Sequence, residues 1–532
     1  MTFNIPNEIY QDIFKYIDEN DLKTFYSSMT VNKIWCLNII PYLWKNPFKL
    51  LSNSYKILTL LFSYLDNERR DYLLIRDEKF ENLLFDYPSF IKQLDLANLY
   101  AIIEQWIYEN KDNRPKLKEN YFINNELSYN FNFRIYLEKG YIPDIKEQEI
   151  YAFFDAIFDI LMNKCEKIEK ISMDDANLEH SNRICETFFK TILSNNKAKR
   201  WLINCERLKF GNNWFKKELI LFLINISLNL KSIHIDLSQI FITNSKLQIL
   251  TKLIKLQRNL QEFHINLGSE LDLLLNSLSN LTNTLKYISI SYGHINLNTN
   301  ILFLSKCSQL EELTLNKLDL TNCIYLLSRI KLPKLKRFHI IESSIDGYNY
   351  DRDTMFLFIR NNGNNLTDLS LFICLYRYSS DCLQTIIDYC PKLVRLAIRI
   401  SKKEEISLLF NIMKYCKSLK YLYIPYDDYN ESIVLITSYL NEFAKNIPPT
   451  LISLDLTKWV FSLDILNNFL ENFENPVSKF KFNCNSFDKE DIQNVIKNFA
   501  IRKFLIIKRC SIEIVYMKFF HKSYYKCIIE WI

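Results

Sequence analysis

One apolar spacing recurs through most of this 532-residue chain and predicts its architecture. Each copy has apolar residues at positions zero, three and five, as in Leu310, Leu313 and Leu315. The copies follow one another at intervals of about 28 residues, and a period of that size is typical of a solenoid, whose units stack side by side. We place the start of thirteen copies at Ile168, Cys205, Leu230, Leu260, Leu285, Leu310, Leu335, Leu366, Leu393, Leu419, Leu451, Val477 and Ile501.

The pattern within each copy predicts a half-buried strand. Positions three and five lie on one face of an extended chain, and positions two and four lie on the other. From the third copy to the eleventh, positions three and five are apolar, whereas positions two and four are mostly polar. Helical spacing follows some strands, as at Leu383, Ile386 and Ile387. We therefore predict an α/β fold in which parallel strands alternate with helices.

The repeats resemble the leucine-rich repeat family, whose pattern begins L-x-x-L-x-L. The Asn or Cys of the second half of that pattern is mostly missing here. Four cysteines stand three residues before a copy, and cysteines in this place are familiar from the leucine-rich repeats that follow F-boxes. These are Cys165, Cys307, Cys390 and Cys416. The resemblance implies a leucine-rich-repeat solenoid.

Residues 4–48 have a different pattern, which predicts three short helices. Apolar residues at helical spacing run from Ile9 to Ile17, from Leu22 to Met29 and from Val31 to Trp44. We expect Pro41 to kink or interrupt the third helix. A module of this size has a small core, so docking onto a partner would stabilise it.

This segment resembles an F-box, whose elements are matched in order. They are Ile5-Pro6-Asn7-Glu8-Ile9, Asp21-Leu22, Val31-Asn32-Lys33-Ile34-Trp35 and Leu43-Trp44. The resemblance implies the substrate receptor of a Skp–cullin–F-box ubiquitin ligase, a protein with no catalytic residues of its own. The F-box would dock on the Skp-type adaptor, which hangs from a cullin, and the repeats would hold a protein substrate. The adaptor-facing candidates are Ile5, Pro6, Ile9, Ile13, Leu22, Val31 and Trp35. Alternatively, some of these, Ile13 and Trp35 especially, face the module's own core.

These observations predict three domains. Residues 1–48 form the F-box, residues 49–150 a helical linker and N-terminal cap, and residues 151–532 a solenoid of about 13 repeats with a C-terminal cap. A second interpretation is a leucine-rich-repeat scaffold or recognition protein without a ubiquitin role, whose N-terminal helices are only a cap. An exposed apolar face on these helices would favour the first interpretation, and flat packing against the first repeat would favour the second.

The polar, concave face of the strands is the expected substrate surface, because Tyr and Arg are enriched in interface hot spots. The candidates are Arg337, Arg395, Arg399, Tyr421, Tyr423 and Tyr426. One alternative is that the tyrosines only pack across neighbouring strands. Another is that the arginines bind a phosphorylated degron, although Glu312 and Asp368 lie in the same column as Arg337.

Composition narrows the classes of partner and compartment. With 67 basic and 61 acidic residues, the charge is too balanced to predict nucleic acid or a membrane surface as the main partner. Only six glycines are present, which disfavours phosphate-binding loops, and we predict no cofactor and no metal. His234 and His264, with Asp236 nearby, are the one metal alternative, and we expect them to be solvated surface residues.

The cysteines and the termini indicate an intracellular protein. The 13 cysteines are scattered in apolar contexts, which is typical of reduced core thiols. The segment Met1 to Tyr10 has no apolar run that would act as a secretory signal, and no apolar stretch is long enough to span a membrane. We expect the protein in the cytoplasm, the nucleus or both.

Overall fold

The computed structural model divides the chain into two compact units, Met1–Leu260 and Gln261–Ile532. Each unit is an α/β assembly in which strands alternate with helices. The described residues are 6–17, 21–49, 55–75, 83–110, 145–173, 195–211, 217–226, 229–238, 243–267, 271–294, 301–320, 324–343, 353–373, 379–398, 404–424, 440, 442–475, 477–485, 489–503, 505, 507–517 and 522–531.

The first unit begins with three helices that pack around a small aromatic core. They are α1 (Asn7–Lys15), α2 (Leu22–Met29) and α3 (Lys33–Leu43). The core contains Tyr10, Phe14, Phe25 and Ile39. Two side chains cap helices, because Asp21 accepts a hydrogen bond from the Thr24 amide and Asn32 accepts one from the Trp35 amide. Pro41 does not interrupt α3, which continues to Leu43.

The rest of the first unit carries four strands and seven further helices among its described residues. The helices are α4 (Tyr55–Phe62), α5 (Asn67–Tyr72), α6 (Leu96–Glu109), α7 (Ile145–Lys164), α8 (Asn196–Asn204), α9 (Lys217–Ile226) and α10 (Asn244–Lys255). The strands are β1 (Gln93–Asp95), β2 (Lys170–Met173), β3 (Arg207–Phe210) and β4 (Ser232–Leu237). They lie side by side in chain order and are parallel. A 3-10 helix at Tyr87–Phe90 precedes β1.

The second unit continues the alternation of strands and helices. Its parallel strands are β5 (Glu262–Leu267), β6 (Tyr287–His294), β7 (Glu312–Asp319), β8 (Arg337–Ser343), β9 (Asp368–Ile373), β10 (Arg395–Ile398), β11 (Tyr421–Tyr423), β12 (Ser453–Ser462) and β13 (Lys479–Asn485). Its helices include α11 (Asp272–Ser277), α12 (Ile324–Leu327), α13 (Asp353–Asn362), α14 (Ser379–Tyr389), α15 (Glu404–Tyr415), α16 (Leu463–Glu471) and α17 (Lys489–Arg502). The predicted α/β fold of parallel strands alternating with helices is therefore confirmed within each unit.

The strands begin where the apolar pattern predicts. Twelve of the thirteen predicted copies start two residues before a strand. Positions three and five are buried, as shown by Leu313 and Leu315, which are 0% and 3% exposed. The hydrogen-bonded neighbours are the same positions of successive copies, so that Leu313 lies beside Phe338. The period-two pattern therefore determines both the buried face and the register.

The thirteenth predicted copy, at Ile501, was wrong. Ile501 lies in the last turn of α17 and is 72% exposed. The unit ends instead in an antiparallel hairpin of β14 (Ile507–Met517) and β15 (Lys522–Trp531), and β15 pairs antiparallel with β13. Apolar residues three apart fit a helix as well as this repeat, which explains the error.

A copy that the sequence analysis missed lies at Ile91, within the segment interpreted as a helical linker. Ile91, Leu94 and Leu96 occupy positions zero, three and five and are 0–1% exposed. The Lys92 carbonyl accepts hydrogen bonds from the amides of Glu169 and Lys170 at 2.7 and 3.2 Å. In the second unit, the Gln261 carbonyl likewise accepts two hydrogen bonds from backbone amides of the copy that follows it. The first strand of the repeats is therefore β1.

A buried ion cluster joins α5 to α7. The Arg69 guanidinium donates to Asp159 and lies 3.5 Å from a carboxylate oxygen of Asp155. The side chains of Arg69 and Asp155 are only 12% and 13% exposed. Burial, with the neighbouring Asp159 carboxylate, raises the pKa of Asp155 well above its ordinary value, and Arg69 opposes this effect. The buried Arg69 guanidinium thus forms ion pairs with two carboxylates.

Gly363 lies against the end of the helix of the next copy, and Gly363→Ala is expected to lower the free energy of unfolding by about 1–3 kcal/mol. A Cβ atom at this position would lie 2.7 Å from the Tyr389 carbonyl oxygen and 2.8 Å from the Cys390 sulfur. Urea denaturation would measure the change. Adding Cys390→Ala should restore only part of the loss, because the carbonyl contact remains, and a full recovery would contradict this account.

Candidate functional site

The first helix has two apolar faces, of which only one is buried. Tyr10 and Phe14 are 7% and 1% exposed and belong to the core of the three helices. Ile9 and Ile13, each one residue earlier, are 48% and 45% exposed. A helix of a small globular core normally turns polar residues outward. The outward isoleucines of α1 therefore leave large apolar side chains exposed, a feature that in many proteins marks an interaction site.

Further large apolar side chains are exposed elsewhere on the N-terminal helices. Val31, just before α3, is 56% exposed, and Ile34 and Leu37 on α3 are 41% and 46% exposed. Tyr16 and Tyr26 are also exposed. Seven of the twenty large hydrophobic side chains that are exposed in the described part of the chain thus lie between residues 9 and 37. We call them the N-terminal apolar set: Ile9, Ile13, Tyr16, Tyr26, Val31, Ile34 and Leu37.

Not every predicted adaptor-facing residue belongs to this set. The Trp35 ring is half-buried and packs edge-on against Phe14, with ring centroids 5.5 Å apart. Pro6 is exposed and immediately precedes α1. Ile5 and the side chain of Leu22 lie outside the described residues. The sequence analysis missed Ile34 and Leu37, although their spacing of three residues on an apolar helix was a signal for a second face.

The C-terminal end of α3 and the residues after it contact the repeats of the first unit. Trp44 directly follows α3, and the centroid of its ring lies 4.6 Å from the centroid of the Tyr87 ring. The Lys45 carbonyl then accepts hydrogen bonds from the amides of Lys92 and Gln93. This junction anchors the module to β1 through residues beyond α3, and the N-terminal apolar set remains exposed.

A second candidate surface follows the strands of the second unit. We define the polar strand face as positions two and four of β5–β13. The residues at position two form a row across the strands, which we call the central row. In strand order it contains Glu262, Tyr287, Glu312, Arg337, Asp368, Arg395 and Tyr421. This row alternates acidic, aromatic and basic side chains on adjacent strands.

The Arg337 charge is matched by its neighbours on the sheet. The Arg337 Nε donates to a Glu312 carboxylate oxygen at 2.5 Å, and its guanidinium carbon lies 5.4 Å from the centroid of the Tyr287 ring. The Arg337 side chain is 35% exposed. An arginine held by a carboxylate in this way is a weak candidate for binding a phosphate group.

Arg395 makes a similar pair of contacts. Its guanidinium carbon lies 4.7 Å from the centroid of the Tyr421 ring, and one of its nitrogens lies 3.6 Å from the Asp368 carboxylate. The Arg395 side chain is 59% exposed, so it can also contact a partner. The sequence analysis proposed Arg395 and Tyr421 for one patch, and the structure brings them together.

The remaining candidates of this patch divide into two groups. Tyr423 packs edge-on against Phe372, with ring centroids 5.4 Å apart, across the small Ala397 of the strand between them. Phe372 was not among the predicted residues. Arg399 and Tyr426 lie outside the described residues. The structure thus supports an aromatic and guanidinium patch, and it also shows the cross-strand packing that was the alternative interpretation.

One histidine of the polar strand face hydrogen-bonds to the neighbouring strand. His339 Nδ1 forms a hydrogen bond of 2.9 Å with the Ser370 hydroxyl. Burial lowers the pKa of His339 and that of His264, although nearby carboxylates oppose the shift. Neither ring therefore adds positive charge near neutral pH. In the described ranges, no three His, Cys, Asp or Glu side chains are grouped to hold a metal ion.

The cysteines that precede the copies are buried, and two of them form hydrogen bonds to the preceding copy. Cys165 Sγ donates to the Pro88 carbonyl at 3.0 Å, and Cys416 Sγ donates to the Cys390 carbonyl at 3.5 Å. Burial raises the pKa of Cys165 to about 12 and that of Cys416 to about 11. Such thiols are protonated at neutral pH and are poor nucleophiles.

Neither a scan against protein-family models nor a search of curated proteins finds a match to this chain. Among the helices that the structure describes, none combines the length and the apolar character needed to cross a bilayer.

Proposed function

We propose that this chain is the substrate-recognition subunit of a Skp–cullin–F-box ubiquitin ligase. The N-terminal helices dock on the Skp-type adaptor, and the repeats, of the leucine-rich type, bind a protein substrate. The observation that carries the proposal is the concentration of exposed large apolar side chains between residues 9 and 37. The order of the F-box elements in the sequence supports the same conclusion.

The exposed side chains favour docking over a simple capping role. A cap stabilises a repeat protein by covering its end with a polar outer surface. The N-terminal helices instead bury Phe14 and leave Ile9, Ile13 and Leu37 about half exposed. Burying a large aliphatic side chain fully in an interface contributes about 1.5–3 kcal/mol. Several such side chains would suffice for a stable complex with an apolar groove of the adaptor.

The polar strand face indicates what kind of substrate the repeats bind. Its central row, Glu262 to Tyr421, contains three carboxylates and two guanidinium groups, and both guanidinium groups already contact carboxylates. A phosphorylated segment would have to displace these contacts. We therefore propose recognition of an unmodified protein surface, with Arg395 and Tyr421 as central contacts.

A non-catalytic role is consistent with the cysteines that precede or begin the copies of the repeat. A ligase that passes ubiquitin through a thioester needs an accessible thiolate. Cys165, Cys205 and Cys307 are instead buried, with pKa values raised to about 12. The chain would act by positioning a substrate beside a catalytic partner.

The second candidate function is a leucine-rich-repeat scaffold or recognition protein without a ubiquitin role. The polar strand face with its Arg395–Tyr421 contact serves such a protein equally well. The two functions differ only in the partner of the N-terminal helices, so an adaptor-binding measurement separates them.

Ile13→Asp is expected to lower the affinity for the Skp-type adaptor more than about 100-fold, because an unpaired carboxylate would be buried in the complex. Binding of the purified full-length chain to purified adaptor would be measured by calorimetry. The matched control is Ile203→Asp on α8, since Ile203 is 50% exposed but lies outside the N-terminal apolar set.

Wild type and Ile203→Asp should bind the adaptor with the same affinity. Failure of the wild type to bind would leave the scaffold function. Equal binding by Ile13→Asp would show that a different surface contacts the adaptor. Circular dichroism of all three proteins checks that the helices are folded.

A further inference from the structure

A row of lysines lies on the side of the second unit where its parallel strands begin. Six turns form this side, and each directly precedes one of the strands β6 to β11. The turns are residues 280–286, 305–311, 330–336, 361–367, 388–394 and 414–420. They contain nine lysines but two carboxylates, those of Glu311 and Asp388. We call the nine the lysine edge: Lys286, Lys306, Lys331, Lys334, Lys336, Lys392, Lys414, Lys417 and Lys420.

Backbone hydrogen bonds hold the six turns in line. The Glu311 amide donates to the Lys286 carbonyl at 2.8 Å, and the Lys336 amide donates to the Glu311 carbonyl at 2.9 Å. The last residue of each later turn forms the same bond, as far as the Lys420 amide. Neighbouring strands are about 4.8 Å apart, so the lysine edge extends over about 24 Å from β6 to β11.

Most of the positive charge of the lysine edge has no carboxylate beside it. Within the described residues, Lys336 is the one member that forms an ion pair, and its Nζ lies 2.8 Å from a Glu311 carboxylate oxygen. Lys334 Nζ donates instead to the side-chain oxygen of Gln309 at 2.6 Å, and this neutral partner does not cancel the charge. The lysine edge therefore presents a surplus of cations.

The equivalent turns of the first unit show that the fold does not require this surplus. Lys167 and Lys231 lie in such turns, and both form ion pairs with Glu206, at 3.0 and 2.9 Å. In the second unit, Lys306 and Lys414 lie in the last turn of a helix, where the helix dipole favours a cation. The other seven lysines lie beyond the helix ends. Local stability therefore does not account for the row.

We propose that the lysine edge binds an extended, acidic segment of a partner protein. A surface with a surplus of one charge attracts chains of the opposite charge. An extended segment rises about 3.4 Å per residue, so about seven residues would cover the 24 Å of the edge. Glu311 shows how this edge treats a carboxylate, because the hydrogen bond from Lys336 lowers the pKa of Glu311 and keeps it charged.

Two features of the turns favour a protein segment over a nucleic acid. The six turns contain no arginine, the side chain that binds phosphate groups through two parallel hydrogen bonds. Lysine is a mobile point charge, which suits carboxylates that are held in no fixed geometry. Single-stranded nucleic acids stack their bases on a series of aromatic rings. Tyr415 is the one exposed aromatic side chain in these six turns.

The test measures binding of fluorescein-labelled decaglutamate to the full-length chain by fluorescence anisotropy. The test variant combines Lys331→Glu, Lys417→Glu and Lys420→Glu, because these three ammonium groups form no hydrogen bond or ion pair with other described residues. The matched control makes the same change of net charge at three exposed lysines outside the lysine edge. These substitutions are Lys252→Glu, Lys489→Glu and Lys497→Glu.

Wild type and control should bind the peptide with the same affinity at low salt. The test variant should bind it at least about tenfold more weakly, because like charges would meet in the complex. The affinity of the wild type should also fall as the salt concentration rises, since salt screens exposed charges. Circular dichroism of the three proteins checks that each is folded.

Two results would overturn the proposal: a wild type that does not bind the peptide, and a control that loses as much affinity as the test variant. Tighter binding of a single-stranded oligothymidylate of equal charge would overturn the choice of a protein segment and identify a nucleic acid as the partner. None of these measurements involves the adaptor, so their outcome is independent of the proposed ligase function.

Discussion

Replacing Phe338 with alanine is expected to lower the free energy of unfolding of the second unit by about 3–5 kcal/mol. Phe338 stands at position three of its copy, is fully buried and packs against Phe358 of α13, with ring centroids 4.4 Å apart. It therefore joins a strand to the helix that crosses over it. Alanine would leave a cavity between β8 and α13, which rigid neighbours fill only partly.

The measurement is urea denaturation followed by circular dichroism, with hydrogen exchange to locate the change. The control is Ser289→Ala on the polar strand face, which should change stability by less than about 0.5 kcal/mol. In Phe338→Ala, amide protection should fall most in β8 and in its neighbours β7 and β9. Equal losses in the two variants would show that positions three and five do not form the core that the repeat predicts.

Arg69→Met is expected to lower the free energy of unfolding of the first unit by about 3–5 kcal/mol at neutral pH. The substitution keeps the length of the side chain but leaves two carboxylates, Asp155 and Asp159, without their cation. Removing one carboxylate as well, in Arg69→Met with Asp155→Asn, should recover a large part of the loss. Urea denaturation of the single and double variants measures both values.

The loss of stability caused by Arg69→Met should also depend on pH. Burial raises the pKa of Asp155 above its ordinary value of 3.8, and the loss of Arg69 raises it further. A carboxyl group whose pKa is raised by folding stabilises the folded state at pH values below its pKa in the unfolded chain. This stabilisation is lost as the pH rises through its pKa in the folded protein. The difference in the free energy of unfolding between the variant and the wild type should therefore be smaller near pH 4 than near pH 7. A difference independent of pH would show that lost packing, and not charge, destabilises the variant.

The sequence predicted the strands well because a single physical requirement repeats in each copy. Leu313 and its equivalents must be buried while Glu312 and Thr314 face outward, so the period of two fixes the residues of the strand. The copy at Ile91 was missed because it lies far from the others, where no period supports it. Ile501 was assigned wrongly because its apolar neighbours belong partly to α17.

The candidate site was less predictable, because it depends on which faces the helices turn inward. The sequence showed that α1 and α3 are apolar, but both Ile13 and Phe14 fit a buried position. Only the packing around Tyr10 and Trp35 determines which of them is exposed. On the strands, by contrast, register alone placed Arg337 beside Glu312.

The buried cysteines give the chain intrinsic probes of local opening. Cys165, Cys307, Cys390 and Cys416 occupy the same place in four copies and are all 0–5% exposed. A thiol reagent can reach each sulfur only when that copy separates from its neighbours. The alkylation rate of each cysteine, resolved by mass spectrometry, would therefore report the opening free energy of its own repeat in the unmodified protein. A gradient of rates along the chain would show from which end the protein unfolds.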